Sequence, residues 1–476
     1  MRPRRLLSAA ARRSACNDSR RTAHLNIPLS KGTQRPPTPA RKLGVADIAL
    51  LVMGSVIGSG IFRTPAVVAQ RIPAPTLIVA AWLTGGLIAL FGAFVLGELG
   101  ARCSQEGGAY AYLRVAFHPV VAFAYGWTSL LASFSGGLAA AAVLFAGYFL
   151  SSTAMSAPPT LVAIVTLTIL VLINSFGVRA GSNVQHVLTL LKLLALAAVV
   201  VAAFVVPANH HLPLSHVAGS PVGVTLAFGV AMIPVLFSYA GALVANFMSD
   251  EVHDPPKTLP TGLWVGMAGV AMLYVLVNTG CLRALGVDGL ARSMVPISAV
   301  LQEATGSIGA RLTSIAIAIA TLGFLSNRML TVPRMYRSMA DDGLFFRWVG
   351  WIDPRTRVPV IAIALQGIAA IVIALSGDFN QVLNFVVSLV YLFNGLLALA
   401  LFVLRARDDA GGATQGGFRV PGHPVTTGLY LIASWSIAIV TYVTDPRSGL
   451  IGLGIVLSAI PIYALWARSA ARKLQA

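Results

Sequence analysis

The sequence predicts an all-α integral membrane protein of about twelve transmembrane helices, built as two inverted five-helix repeats with two further helices appended. Three observations carry this. Hydrophobic residues make up 57 % of the 476-residue chain and charged residues 11 %, with a mean hydropathy of +0.80, whereas soluble domains carry roughly a quarter charged residues. Apolar tracts of about 20 residues, the length a bilayer demands, recur from residue 45 to residue 467. The first and the sixth tract are each interrupted by small residues, about 180 positions apart.

Spans are expected near 45–69, 77–99, 120–149, 160–177, 186–206, 222–249, 261–283, 311–334, 358–376, 381–404, 426–444 and 449–467. Residues 1–43 precede them as a basic tail, expected to be disordered and cytoplasmic. Its Arg-rich, Ser-rich, acid-poor composition also resembles an organelle transit peptide, and RPPTP at 35–39 argues against a folded domain there. An even number of spans puts both termini on one side. With that side cytoplasmic, its segments hold 26 of the 34 Lys and Arg and the opposite segments hold 6, while Lys192 and Arg328 lie inside spans. Cytoplasmic loops are the ones enriched in Lys and Arg. A multi-pass protein of the cell membrane with both termini cytoplasmic is therefore expected. The net charge of +18 is read the same way, as a topology signal in the lipid bilayer rather than a nucleic-acid surface. Cys16, Cys103 and Cys281 are too few and too scattered for a disulfide framework or a metal site. No metal, cofactor or catalytic residue is expected.

The first interruption is Gly58-Ser59-Gly60 in VIGSGIFRTP; the sixth tract has its weak point at Ser238-Tyr239-Ala240-Gly241. Irregular backbone at membrane depth survives only where protein, water or a ligand satisfies it. A half-helix starting after Gly60 presents free N–H groups and a positive dipole end, suited to a carboxylate. Half-helices ending at the breaks present carbonyls, suited to an ammonium group. A zwitterion fits between them. Such glycines can also serve only close helix packing; two breaks one repeat apart favour a site.

Later span starts repeat with similar offsets: 77 to 261, 120 to 311, 160 to 358 and 186 to 381. Repeat 1 is placed at about 44–206 and repeat 2 at about 222–404, forming a core over 44–404, with 405–476 holding the last two helices and the C-terminus. Five is odd, so the second repeat enters from the opposite face. Inverted repeats with discontinuous first helices are common in secondary transporters.

VIGSGIFRTP, GELGARCSQEGGAYAYLRVAF at 97–117 with Tyr125-Gly126-Trp127, LFSYAGALVANFMSDEVHDPPKTLP at 236–260, RMYRSMADDGLFFRWVGWIDPRTRVPVIAIALQG at 334–367 and FRVPGHP at 418–424 resemble the amino acid–polyamine–organocation superfamily. The resemblance covers about 43–467 and is nearest to bacterial permeases similar to the L-type amino acid transporters. It implies a LeuT-type fold and secondary active amino acid transport by alternating access. It places substrate contacts at Val56, Gly58, Ser59, Gly60, Phe237, Ser238, Tyr239, Ala240 and Gly241. The amides of Ser59 and Gly60, with the Ser59 hydroxyl, would hold the carboxylate. Carbonyls of Val56, Phe237 and Ala240 would hold the amine, and the Phe237 ring would act as outer gate. Ser133, Phe134, Ala240 and Asn394 are candidates for the side-chain pocket. The sequence departs from the family where Gly-Trp is Gly241-Ala242 and where Asn-Gly is Ser326-Asn327, followed by Arg328. Both departures bear on substrate identity.

Lys192 lies well inside the fifth span, where an ionised residue is costly and is expected to have a partner or a role. The resemblance implies an ammonium fixed where sodium-coupled relatives hold an ion, linking the first span to the eighth with Thr321 as partner. Transport would then be sodium-independent, with proton symport and amino acid exchange both open. Arg328, two turns past Thr321, is expected either to line the inner vestibule and pair there with Asp47 or to snorkel toward the cytoplasmic face. Glu98 is expected to pair with loop amides.

A membrane-embedded enzyme would need convergent Ser/His/Asp, metal-ligand or carboxylate sets, which the spans do not supply. A transporter-like sensor would need a soluble domain larger than the tail. The alternative kept is a polyamine or amine carrier of the same superfamily. The expected partners are an amino acid substrate and lipid. Neither the substrate's identity nor the oligomeric state follows from the sequence.

Overall fold

The computed structural model describes residues 43–475 apart from 59, 73, 104–106, 154, 177, 208–220, 294, 376–378 and 412–416. Residues 1–42 of the basic tail and Ser59 lie outside the described residues. The described residues form helices, joined by turns and one isolated bridge between Leu43 and Val252. In chain order the helices are α1 (Val45–Val56), α2 (Gly60–Arg71), α3 (Pro75–Arg102), α4 (Ala109–Ala116), α5 (Pro119–Thr153), α6 (Pro159–Ser175) and α7 (Val178–Val205). Then come α8 (Pro221–Tyr239), a 3-10 helix (Ala242–Glu251), α9 (Pro255–Arg292), α10 (Pro296–Thr305), α11 (Ser307–Thr331) and α12 (Pro333–Asp341). A short 3-10 turn, Arg347–Gly350, precedes α13 (Val360–Leu375), α14 (Phe379–Gly411), α15 (Val425–Thr444) and α16 (Pro446–Gln475).

Among the described residues, nine helical stretches have the length and apolar composition to cross a membrane, and the bent pair α1 + α2 makes a tenth. The chain is a multi-pass membrane protein. The helices α6 and α13 are apolar but shorter, with 17 and 16 residues. Each expected span coincides with one of these helices or with a broken pair.

Backbone chemistry explains where the helices begin. Proline stands at the first turn of α3, α5, α6, α9, α10 and α12, where its missing N–H costs nothing. The helix α9 is bent at Gly286, whose φ of 68° breaks the helical run. Inside α5, Ser129–Ser133 form a π-helical stretch, a local widening often found at functional sites. The most extensive contact in the molecule is α3 against α9, the second long helix after each break.

Small residues let these helices approach closely. A Cβ on Gly266 of α9 would sit 2.8 Å from the Ala49 carbonyl of α1, and one on Gly262 would meet Ile48 at 2.5 Å. Away from the centre, ion pairs tie the helix ends. The buried Glu98 carboxylate accepts from Arg102 Nε at 2.9 Å, from the Val420 amide at 2.6 Å and from Arg405. The loop amide expected for Glu98 is thus present, and two arginines join it. Arg114 pairs with Asp342, and Arg334 pairs with Glu251 at 2.5 Å.

Candidate functional site

The two helix breaks lie against each other. The helices α1 and α2 are inclined at 52° across the first break. The helix α8 stops at Tyr239, and after a turn the chain continues as the ten-residue 3-10 helix, an uncommon length for that geometry. Gly241 sits between them with φ 151°, a conformation open to glycine at little cost.

The contact is reciprocal. The Ser55 hydroxyl, in the last turn of α1, donates to the Gly241 carbonyl at 3.0 Å. A Cβ on Gly241 would come within 2.8 Å of the Ser55 carbonyl oxygen. On the other side, a Cβ on Gly60, the first residue of α2, would lie 2.7 Å from Ser238 Oγ and 3.0 Å from Ser238 Cα. The Ser238 hydroxyl is 2.9 Å from the Thr64 hydroxyl and 3.0 Å from the Pro234 carbonyl.

The carbonyls at the end of α1 have lost their helical partners and need others. Lys192 on α7 donates from Nζ to the Gly54 carbonyl at 2.6 Å and to the Ile57 carbonyl at 2.9 Å. Asn327 on α11 adds a bond from Nδ2 to the Leu51 carbonyl, one turn back inside the helix, at 3.1 Å. Tyr274 on α9 donates from its hydroxyl to the Val56 carbonyl at 3.2 Å. Three helices thus stitch the end of α1. On the other break the Tyr391 hydroxyl of α14 donates to the Leu236 carbonyl at 2.5 Å, and the Tyr239 hydroxyl to the Trp82 carbonyl at 3.1 Å.

A cavity opens beside this crossing. Val56, Gly58, Gly60, Phe237, Ser238, Tyr239, Ala240 and Gly241 all line it, as do Ser133, Phe134 and Asn394. Ser129 and Tyr125 from α5, Phe324 and Arg328 from α11, Tyr391 and Phe393 from α14, and Tyr430 from α15 add polar and aromatic groups to its wall. Arg328 is the one charged residue among the described lining residues.

Two expectations need correction. Arg328 does not pair with Asp47. Asp47 accepts from the Gly44 amide at 2.9 Å and faces His186 at 3.9 Å, at the start of α1. Arg328 instead lies on the wall of the central cavity, because its face of α11 is turned towards α5. Thr321 is not the partner of Lys192: its hydroxyl donates to the Ile317 carbonyl of its own helix at 2.7 Å. Lys192 meets α11 two residues on, at Gly323, where a Cβ would lie 3.3 Å from Nζ. The carbonyls of Val56 and Phe237 are not idle, since Val56 accepts from Tyr274 and Phe237 from the Ala240 amide at 3.1 Å. Each carbonyl keeps a second lone pair for a ligand.

Sequence reasoning missed Ser55, Tyr274 and Phe324. Ser55 directly precedes the break, and a hydroxyl there was a legible signal. Tyr274 and Phe324 carry none, for nothing in their local sequence tells which carbonyl or glycine they will face.

A family model described as amino acid permease matches residues 43–466. The chain belongs to this family. It is a permease of the amino acid–polyamine–organocation superfamily and not an enzyme. The permease is 26 % identical to the serine/threonine exchanger SteT of Bacillus subtilis over 430 residues, covering 89 % of this chain and 96 % of that one. It is 27 % identical to the human b(0,+)-type amino acid transporter 1 over 385 residues, 78 % of each chain. Against the human cystine/glutamate transporter the identity is 26 % over 453 residues, 92 % of this chain and 88 % of the relative. These matches support amino acid transport as the activity of the permease.

Proposed function

We propose that the permease is a sodium-independent secondary active transporter that moves amino acids across the cell membrane by alternating access, either as an exchanger or with protons. The observation that carries this reading is the crossing of two broken helices on the wall of one cavity. At that crossing, peptide groups that a continuous helix would consume are available to a ligand. The start of α2 offers N–H groups and a positive dipole end to a carboxylate, with Gly60 admitting close approach. The Val56, Phe237 and Ala240 carbonyls offer acceptors to an ammonium group. A role for Ser59 in the carboxylate site is retained on the sequence alone. Phe237, half-buried on the cavity wall, is placed to close over the ligand, so its truncation should slow uptake more than it weakens binding.

Sodium independence rests on Lys192. Its ammonium already occupies the carbonyls of Gly54 and Ile57, acceptors that suit a small cation. The architecture proposed is twelve crossings: the ten long or bent spans with α6 and α13. They form two inverted repeats over about 44–206 and 222–404, followed by α15 and α16, with both termini cytoplasmic. A cysteine introduced at position 470 of a cysteine-free chain should then resist impermeant thiol reagents in intact cells. The serine/threonine exchanger among the relatives supports the exchange mode. A polyamine carrier is disfavoured, because the charged side chain on the described lining is a guanidinium and would repel a polycation.

The test is uptake of labelled amino acids into proteoliposomes in choline buffer, with and without internal amino acid and a pH gradient. Sodium-free uptake stimulated by internal amino acid is the expected result. A strict sodium requirement overturns the reading of Lys192, and folded protein that moves no amino acid overturns the function.

A further inference from the structure

Arg328 stands on α11 two helical turns beyond Thr321. Its guanidinium carbon lies 5.1 Å from the centre of the Phe134 ring and 5.0 Å from the centre of the Phe324 ring. The rings belong to different helices, α5 and α11. Among the described residues Arg328 makes no ion pair and no hydrogen bond, and its buried Nε has no acceptor. The Phe324 ring also faces the first break, where a Cβ on Gly58 would lie 3.2 Å from Cδ2. One aromatic ring therefore separates the guanidinium from the peptide groups of the crossing.

A cation taken out of water without an anion is costly. Two aromatic faces offset part of that cost, but a methionine or leucine would fill the same space without it. The planar fork of donors matches a carboxylate in two-point contact, and Arg328 lines the cavity.

We propose that Arg328 is a specificity-determining residue that makes the site selective for amino acids whose side chain ends in a carboxylate. This rests on the transport reading above. The α-carboxylate and α-ammonium of the substrate take the peptide groups at the crossing, and the side chain runs past Phe324 to the guanidinium. A lysine-like side chain meets a like charge there and is rejected. A glutamine-like side chain fits the space but accepts with a neutral oxygen, a weaker partner for the fork.

The experiment compares L-glutamate, L-aspartate, L-glutamine and L-lysine, with a panel of neutral amino acids, on the full-length protein. Thermal stabilisation in detergent reads binding and proteoliposome uptake reads transport. In the wild type, L-glutamate or L-aspartate should bind about tenfold or more tightly than L-glutamine, the size expected for a charge-assisted pair. Arg328→Gln should abolish that preference while L-glutamine binding persists, and Arg328→Lys should keep part of it. Equal binding of L-glutamate and L-glutamine by the wild type overturns the proposal, as does an Arg328→Gln protein that loses both equally. If Arg328→Gln does not fold, the wild-type ratio still decides. Neutral amino acids carried while acidic ones are ignored would sink the specificity and leave the transport reading standing. A folded wild type that carries no amino acid would sink both.

Discussion

The two breaks look alike in sequence but are held differently. At the first, the end of α1 is satisfied from outside: Lys192 and Tyr274 donate to the freed carbonyls of Gly54, Ile57 and Val56, and Asn327 adds a bond to the Leu51 carbonyl one turn earlier, all from three other helices. At the second, two hydroxyls, Tyr391 to the Leu236 carbonyl and Ser55 to the Gly241 carbonyl, are joined by a close steric fit. Gly241 has a φ of 151° and no room for a Cβ beside the Ser55 carbonyl. A break stitched by side chains depends on chemistry that can be deleted atom by atom. A break made by close approach depends on empty space and fails when that space is filled. Alternating access asks the half-helices to move, so the kind of attachment decides how each half can be released.

The largest effect is expected at the stitched break. Lys192→Ala strands the Gly54 and Ile57 carbonyls, and each unsatisfied buried group costs about 1–3 kcal/mol. Uptake in sodium-free buffer should fall sharply although Lys192 does not line the cavity. Uptake equal to wild type would show that the ammonium is not what holds the break.

At the second break, Gly241→Ala should destabilise the folded protein by roughly 1–3 kcal/mol, from backbone strain and the contact with Ser55. A thermal transition unchanged from wild type would mean that the turn relaxes freely. Ser55→Ala on the Gly241→Ala background then separates the two: it removes the hydroxyl but leaves the carbonyl clash, so it should not restore stability.

The smallest effect is expected for Tyr274→Phe, which deletes one neutral hydrogen bond to the Val56 carbonyl, about 1 kcal/mol. It also sharpens the comparison. If the Val56 carbonyl helps bind the substrate ammonium, freeing it from Tyr274 should leave binding intact or strengthen it. Binding lost together with stability would make Tyr274 a structural prop of the crossing.

The sequence by itself determined that the chain is a helical membrane protein, where its apolar helices lie, and that the first and sixth are interrupted. These are one-dimensional properties: hydrophobic length must match the bilayer, and glycine, serine and proline act on their own backbone wherever they stand. The sequence also singled out Lys192, because an ionised residue inside an apolar tract is conspicuous without any structure. It could not say what Lys192 touches. Thr321 and Gly323 differ by two positions on α11, and helix rotation turns one hydroxyl into its own backbone while bringing the glycine to the ammonium. The same limit hid that Arg328 lies against Phe134 and Phe324 rather than beside Asp47. Only tertiary structure decided these contacts. The face a helix turns to its neighbours is set by packing along its whole length, and a shift of one or two residues, invisible in a hydropathy pattern, changes every partner.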